Sequence, residues 1–239
     1  MRIAVVSDIH GNRTAFDAVL ADLRETSPDL ILHGGDLSDS GSSAAYVIDH
    51  IRDLGWPGVY GNTDEMLFDP ESLAAFARPL PQLKAMFDVI EEMAAFTREA
   101  LGEERIAWLR ALPPMQVQGS MALVHASPGT AWRAPAPEVS DEELQSTYGA
   151  LDHAVAVYGH LDRSFVRRLP AMTVANSGSV SLSYDGDPRA SYLLLDEGAP
   201  VIRRVEYDVV REVEALSASG LPHADWIARI LRSAAPQMP

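Results

Sequence analysis

Residues 2–12 read RIAVVSDIHGN and residues 29–36 read DLILHGGD. Between them, Phe16, Val19, Leu20 and Leu23 recur on one helical face from Arg13 to Thr26. This predicts a buried strand at Ile3 to Ser7, a helix stopped by Pro28 and a second buried strand at Asp29 to His33. The pattern then repeats. A loop at Gly34 to Asp39 leads into a helix carrying Val47, Ile48, Ile51 and Leu54. Gly55 ends that helix, and Trp56 to Tyr60 predicts a third strand. Strand, helix, strand, helix, strand implies a parallel sheet with right-handed crossovers.

Residues 70–112 have a different character. Leu83, Met86, Phe87 and Ile90 keep helical spacing and no strand pattern occurs. The stretch is short for a core of its own, so it reads as a helical insertion closed by Pro113 and Pro114. Strands are expected again at Met115 to Val117 and Met121 to His125, joined at Gly119-Ser120. Ser140 with Glu143 fits a capping box opening a helix to Tyr148. Ala154 to Tyr158 follows as a strand. Phe165 to Leu169, Met172 to Ala175 and Ala190 to Asp196 are expected to be antiparallel strands, the last in a hairpin with Pro200 to Tyr207. From Val209 onward the tail is helical, with fraying expected at Pro236 to Pro239. The whole is read as one α/β domain over residues 1–239, with C-terminal helices at 208–235.

The 239 residues carry 19 Lys and Arg against 34 Asp and Glu, a net charge of −15, and 47% are hydrophobic. Such a composition fits a globular chain and excludes a fibrous or disordered one. A body this acidic repels a phosphate backbone, so strong nucleic-acid binding is not expected. There is no cysteine, which excludes disulfides, thiol catalysis and zinc–thiolate sites. No apolar run approaches the ~18 residues of a membrane helix. The apolar start is too short for a signal peptide, so a cytoplasmic location is the default expectation.

Five clusters each follow an expected strand and open a loop: Asp8-Ile9-His10, Gly35-Asp36, Gly61-Asn62, His125 and Gly159-His160. In an open α/β sheet, loops at the carboxyl ends of strands converge on one crevice. Two carboxylates, three imidazoles and a carboxamide therefore meet there, a donor set that suits manganese, iron, zinc, cobalt or nickel. Asp36 is the candidate bridge between two cations, which together would grip a phosphoryl group and activate water.

The ordered series D-x-H, G-D, G-N, H and G-H resembles the calcineurin-like metallophosphoesterase superfamily, in particular its small bacterial phosphodiesterases of the YfcE type. The resemblance extends to residue 207 and includes Asn176-Ser177-Gly178-Ser179, similar to the family's Asn-Pro-Gly-Ser. It implies a four-layer α/β/β/α sandwich with a dinuclear site at one edge. Asp8 and His10 would hold one metal, Asp36 would bridge, and Asn62, His125 and His160 would hold the other. A hydroxide between the two metals would attack phosphorus, placing Asp36, Asn62 and His125 closest to the reaction.

Two departures bear on the chemistry. The family's G-H-x-H is here Gly159-His160-Leu161-Asp162, so Asp162 is expected as a ligand in place of the second histidine. The extra carboxylate makes the site less positive and favours a harder ion, manganese. The family's G-N-H-D is here Gly61-Asn62-Thr63-Asp64. Threonine is too weak an acid to protonate a leaving alkoxide, so esters with good leaving groups are the expected substrates. Asp64 would serve instead only with a raised pKa. A phosphodiester of a small molecule is the leading expectation. A phosphomonoesterase, a protein phosphatase, a nucleotide pyrophosphohydrolase and a non-catalytic scaffold are the alternatives. A homo-oligomer is open.

Blander expectations stand beside these. His33 is read as a buried strand histidine with a hydrogen bond, and His50, His153 and His223 as structural or surface residues. Asp39 is read as a helix cap or a support for the site. Arg163 and Arg13 are candidate phosphate contacts as well as surface residues. Met86, Phe87, Met93 and Phe96 are read as core or interface, with the insertion able to overhang the site. Trp132 is read as a loop anchor before a recognition aromatic.

Overall fold

The computed structural model describes all residues 1–239. Strand β1 (Ile3–Val6) is buried along its whole length and pairs in parallel with β2 (Leu30–His33), Ile3 opposite Leu30. The connecting helix α1 (Arg13–Thr26) starts where Asn12 accepts a hydrogen bond from the Ala15 amide at 2.9 Å. It ends at Ser27 in the left-handed region, just before Pro28. Helix α2 (Ala44–Leu54) follows and stops at Gly55, where φ is 64°.

The expected third strand is not built. Residues 56–60 touch the sheet only through a single bridge between Gly58 and His33. Pro57 has no amide to donate, so the ladder stops after its carbonyl accepts from His33 and the Val59 amide reaches His33 in return.

Two sheets result, each of mixed direction. In the first the order is β2, β1, β8 (Ala190–Asp196), β9 (Ala199–Val205), with β8 antiparallel to both β1 and β9. In the second the order is β3 (Met115–Gln118), β4 (Met121–Val124), β5 (Val155–Tyr158), β7 (Thr173–Asn176), β6 (Phe165–Arg168). Within it β4, β5 and β7 run parallel and only the edge strands β3 and β6 are antiparallel. The expected division into a parallel half and an antiparallel half is therefore replaced by antiparallel pairing inside both sheets.

Side-chain alternation fixes the layers. Ile3 and Val5 of β1 face Leu123, Val155, Val157 and Ala175 of the second sheet. Ala4 and Val6 point the other way, onto Phe16, Val19, Ile48 and Ile51 of α1 and α2. The outer face of the second sheet is covered by α6 (Asp141–Tyr148) through Leu144 and Tyr148. Helix, sheet, sheet, helix is the α/β/β/α sandwich. Helix α6 opens on Ser140 Oγ accepting from the Glu143 amide at 3.2 Å.

The helical stretch begins at Asn62, eight positions before Pro70. It comprises α3 (Asn62–Phe68), α4 (Glu71–Ala77) and α5 (Lys84–Arg110), the last broken at Gly102 with φ 70° and ψ 167°. Leu73, Phe87, Ala94, Leu101 and Leu109 share one core with α1 and α2. Arg98 donates to the terminal carbonyls of α3, Met66 and Leu67, both at 2.8 Å. Arg105 grips Asp49 of α2 with two hydrogen bonds of 2.8 and 2.6 Å. The tail forms α7 (Val209–Ala218) and α8 (Ala224–Ser233), and Trp226, Ile227, Ile230 and Leu231 of α8 pack with Met93 of α5. No helix is long and apolar enough to cross a membrane.

Candidate metal centre

Loops after β1, β2, β4 and β5, together with the start of α3, bring the expected residues to one place. One ligand atom from each of Asp8, His10 and Asp36 lies within 4.8 Å of the others, and all three are buried. Beside them Asn62 Oδ1 lies 3.0 Å from His125 Nε2 and 2.8 Å from His160 Nδ1. Asp36 stands between the groups. Its Oδ2 is 3.8 Å from His10 Nε2 and its Oδ1 is 3.4 Å from His125 Nε2. One carboxylate thus faces the two groups with one oxygen each.

The backbone is bent to achieve this. Asp8, His10, Asp36, His160 and Asp162 have φ of 56°, 49°, 53°, 67° and 54°. Five of the seven candidate ligands therefore sit in the left-handed region, which costs an L-residue on the order of 1–3 kcal/mol when the surroundings enforce it. Two glycines provide the room. A Cβ on Gly61 would overlap Asp36 Oδ1, and one on Gly159 would overlap Asp8 Oδ2 and Ser7 Oγ.

Neighbouring polar groups fix each donor. His10 Nδ1 donates to the Asp39 carbonyl at 3.1 Å and His125 Nδ1 to the Gly34 carbonyl at 2.8 Å, turning both Nε2 atoms inward. The Asp8 carboxylate accepts from the His160 amide at 3.1 and 3.2 Å. Asp64 accepts from the amides of Asp36 at 2.8 Å, Leu37 at 3.0 Å and Gly61 at 2.9 Å. Its two oxygens tie the Gly35-Asp36 turn to the Gly61-Asn62 turn, so it is a clamp between ligand loops. Ser179 does the same for β1: its hydroxyl donates to the Asp8 carbonyl at 2.9 Å while accepting from the Ser181 and Leu182 amides.

Packing these charges together shifts them. Burial lifts Asp8 to about 7, against the pull of His125 and with the push of Asp36. Burial and Asp8 together raise Asp162 well above the carboxylate range. Burial also opposes ionisation of Asp36, but His125, His10 and His160 outweigh it and hold that carboxyl well below its usual range. His125 resists burial and rises to about 10 on the strength of Asp36 and Asp8. Burial and His125 lower His160 to about 4.

A divalent cation fits this donor set. Asp162 Oδ1 is buried with no hydrogen-bond partner although its residue lines the cavity. Without a cation that atom bears its full desolvation cost. Asp8, His10, Asp36 and Asp162 would hold one ion, and Asp36, Asn62, His125 and His160 the other.

A cavity of 260 Å³ opens on this cluster. His10, Asp36, Asn62, His160 and Asp162 form its floor, and α4, α5, α8 and Trp132 form an apolar wall. Asp39 is not a helix cap. It is buried beside the floor, its carbonyl engaged by His10 and its Oδ1 unpartnered. Thr63 lines the cavity with its hydroxyl unpartnered. A second cavity of 220 Å³ reaches His125 and is lined by Tyr60, Ser127 and Thr130.

The two candidate phosphate contacts are placed elsewhere. Arg13 lies over the Tyr46 ring at 4.1 Å and pairs with Asp17 at 3.4 Å. Arg163 pairs with Glu138 at 2.5 Å, and neither lines the cavity. His33 is fully buried but neither ring nitrogen has a hydrogen-bond partner, contrary to expectation; its ring lies 6.0 Å from that of Trp108. His223 pairs with Glu92 at 2.8 Å. Trp132 donates to Glu65 at 2.7 Å and packs on Phe76 with ring centres 5.0 Å apart, so it anchors its loop and also lines the cavity.

The sandwich and the converging donors define a metal-binding hydrolase architecture. Residues 1–199 match the calcineurin-like phosphoesterase superfamily domain, and the chain belongs to that superfamily; it is a hydrolase of phosphoester bonds. The crystal structure of a metallophosphoesterase from Sphaerobacter thermophilus superposes with a TM-score of 0.80 at 24% identity, covering 98% of this chain and 100% of that one. An uncharacterized protein of Methanocaldococcus jannaschii, MJ0912, is 28% identical over 96% of both chains. A symmetrical bis(5'-nucleosyl)-tetraphosphatase of Methylococcus capsulatus is 28% identical over 64% of this chain and 52% of its own.

Proposed function

We propose that the protein is a dinuclear, manganese-favouring phosphodiesterase acting on a small phosphorylated molecule. The observation that carries this is Asp36, one oxygen toward His10 of the first donor group and the other toward His125 of the second. Divalent ions held there supply Lewis-acid charge for the phosphoryl oxygens and a water made nucleophilic at neutral pH. The chain's own residues supply orientation. Asp64 and Ser179 lock the ligand loops, and Gly34 and Asp39 set the imidazole tautomers. Two cavities adjoin the cluster, one lined by His10, Asn62 and His160 and the other by His125, and they support a diester, whose two organic arms need separate room.

Neither Thr63 nor Asp64 is placed to protonate the leaving group. Thr63 brings only a hydroxyl to the cavity. Burial and Asp36 do raise Asp64, to about 7, but it is fully buried, does not line the cavity and accepts from three amides. Leaving groups that depart as stable anions are therefore favoured. The partial match to the tetraphosphatase supports a second reading, a nucleotide pyrophosphohydrolase. Side-by-side assay of bis(p-nitrophenyl) phosphate, p-nitrophenyl phosphate and diadenosine tetraphosphate, with and without manganese, separates the two. The diester is expected to be cleaved fastest, and only with metal. Faster cleavage of the tetraphosphate would select the second reading, and no turnover of any ester would overturn both.

A further inference from the structure

We propose that the wall opposite the metal centre selects phosphoesters by an uncharged, apolar organic arm, and that polyphosphorylated nucleotides are disfavoured. This rests on the phosphoesterase centre proposed above. Twelve of the 20 residues lining the cavity are hydrophobic. Among them Phe76, Phe87 and Ile90 come from α4 and α5, and Trp226, Ile227 and Ile230 from α8, remote in sequence; Trp132, Leu182 and Tyr184 join them from loops. Helices α4, α5 and α8 contribute no candidate ligand, so their part of the wall is an addition to the metal-binding sandwich.

The polar residues bear the complementary sign. No lysine or arginine lines the cavity, while Asp36, Asp39 and Asp162 do. Arg133 stacks on Phe76 at 5.5 Å but is not itself a lining residue. A chain of phosphates would bring several negative charges to a site with no cationic side chain except its histidines, inside a protein of net charge −15. One phosphoryl group neutralised by the metals, carrying an apolar arm, meets no such cost. At 260 Å³ the cavity is smaller than most ligand pockets, which span ~300–1,000 Å³. It suits one ring or a short branched chain.

The test is binding of alkylphosphonates from methyl to butyl to the manganese-supplied, full-length protein. Tryptophan fluorescence is the readout, since Trp132 and Trp226 line the cavity. Burying each added methylene is worth about fourfold, from ~0.8 kcal/mol per CH₂. Affinity should therefore rise about 60-fold from methyl to butyl. Met86→Lys, at a half-buried lining position, should flatten that series and Met86→Leu should preserve it. Equal affinity along the series for the parent protein would overturn the proposal, as would tighter binding of diadenosine tetraphosphate than of butylphosphonate. The parallel p-nitrophenyl ester assay keeps the two claims apart. A flat series with ester turnover removes the apolar selection and leaves the centre standing. A rising series without turnover supports the selection and removes the catalytic reading.

Discussion

On one side of the cavity stand Asp36, Asn62, His160 and Asp162; on the other stand Phe87, Ile90, Trp226 and Ile230. In the first group Asp36, His160 and Asp162 come from short loops after strands, in left-handed backbone, and Asn62 opens α3; buried hydrogen bonds tie them down. The second comes from regular helices whose apolar faces pack into ordinary cores. The floor is built at a cost in strain and charge repulsion that a bound cation would relieve. The wall is stabilised by burial and needs no ligand. Changes on the floor should therefore act on metal binding and turnover, and changes on the wall on substrate affinity.

Asp36→Asn tests that division most severely. It removes the charge shared by both donor groups, and diester turnover should fall at least about 10²–10³-fold with KM for apolar esters little changed. A mere tenfold loss would place the essential charge elsewhere. Asp162→Ala should lower metal affinity about 10–100-fold, read by titration of metal-depleted protein, and Asp162→His should restore it. If the alanine variant holds metal as tightly as the parent, Asp162 is no ligand. Aryl leaving groups should outrun alkyl ones by about 10²–10⁴-fold, because Thr63 offers no general acid. Similar chemical rates for the two classes would mean that a proton donor has been overlooked. On the wall, Phe76→Ala should raise KM for an apolar ester about tenfold while kcat holds.

A control lies outside both regions. Asp22 of α1 accepts from Tyr192 at 2.6 Å and from Arg203 at 2.8 Å. Burial alone would raise its pKa, but these hydrogen bonds outweigh burial and hold it below the usual carboxylate range. Its stabilisation is present above the unfolded pKa of ~3.9 and is lost as pH falls through the lower folded value. Asp22→Asn should thus flatten the stability profile in that acid window by less than about 1 kcal/mol, without effect on metal binding.

Much of the floor was legible because its chemistry is local. Asp8 and His10 share one turn, and Asp36, Asn62 and His160 each follow a glycine that the structure needs for clearance or a turn. The strand failure at residues 56–60 was also encoded, in Pro57, but the apolar pattern of Trp56 and Val59 outweighed it. The clamp role of Asp64 was hidden because its partners, Asp36 and Leu37, are far away in sequence. The sheet order was hidden for the same reason: β8 crosses from the end of the chain to pair with β1. The wall was half visible. The insertion was expected to overhang the site, whereas Trp226, Ile227 and Ile230 showed only helical spacing, which says that a face is buried and not against what.

Anomalous scattering from a crystal grown with manganese addresses the central claim directly. Two peaks are predicted, one among Asp8, His10, Asp36 and Asp162 and one among Asp36, Asn62, His125 and His160. Manganese found away from these side chains, with Asp36 touching no ion, would contradict the account.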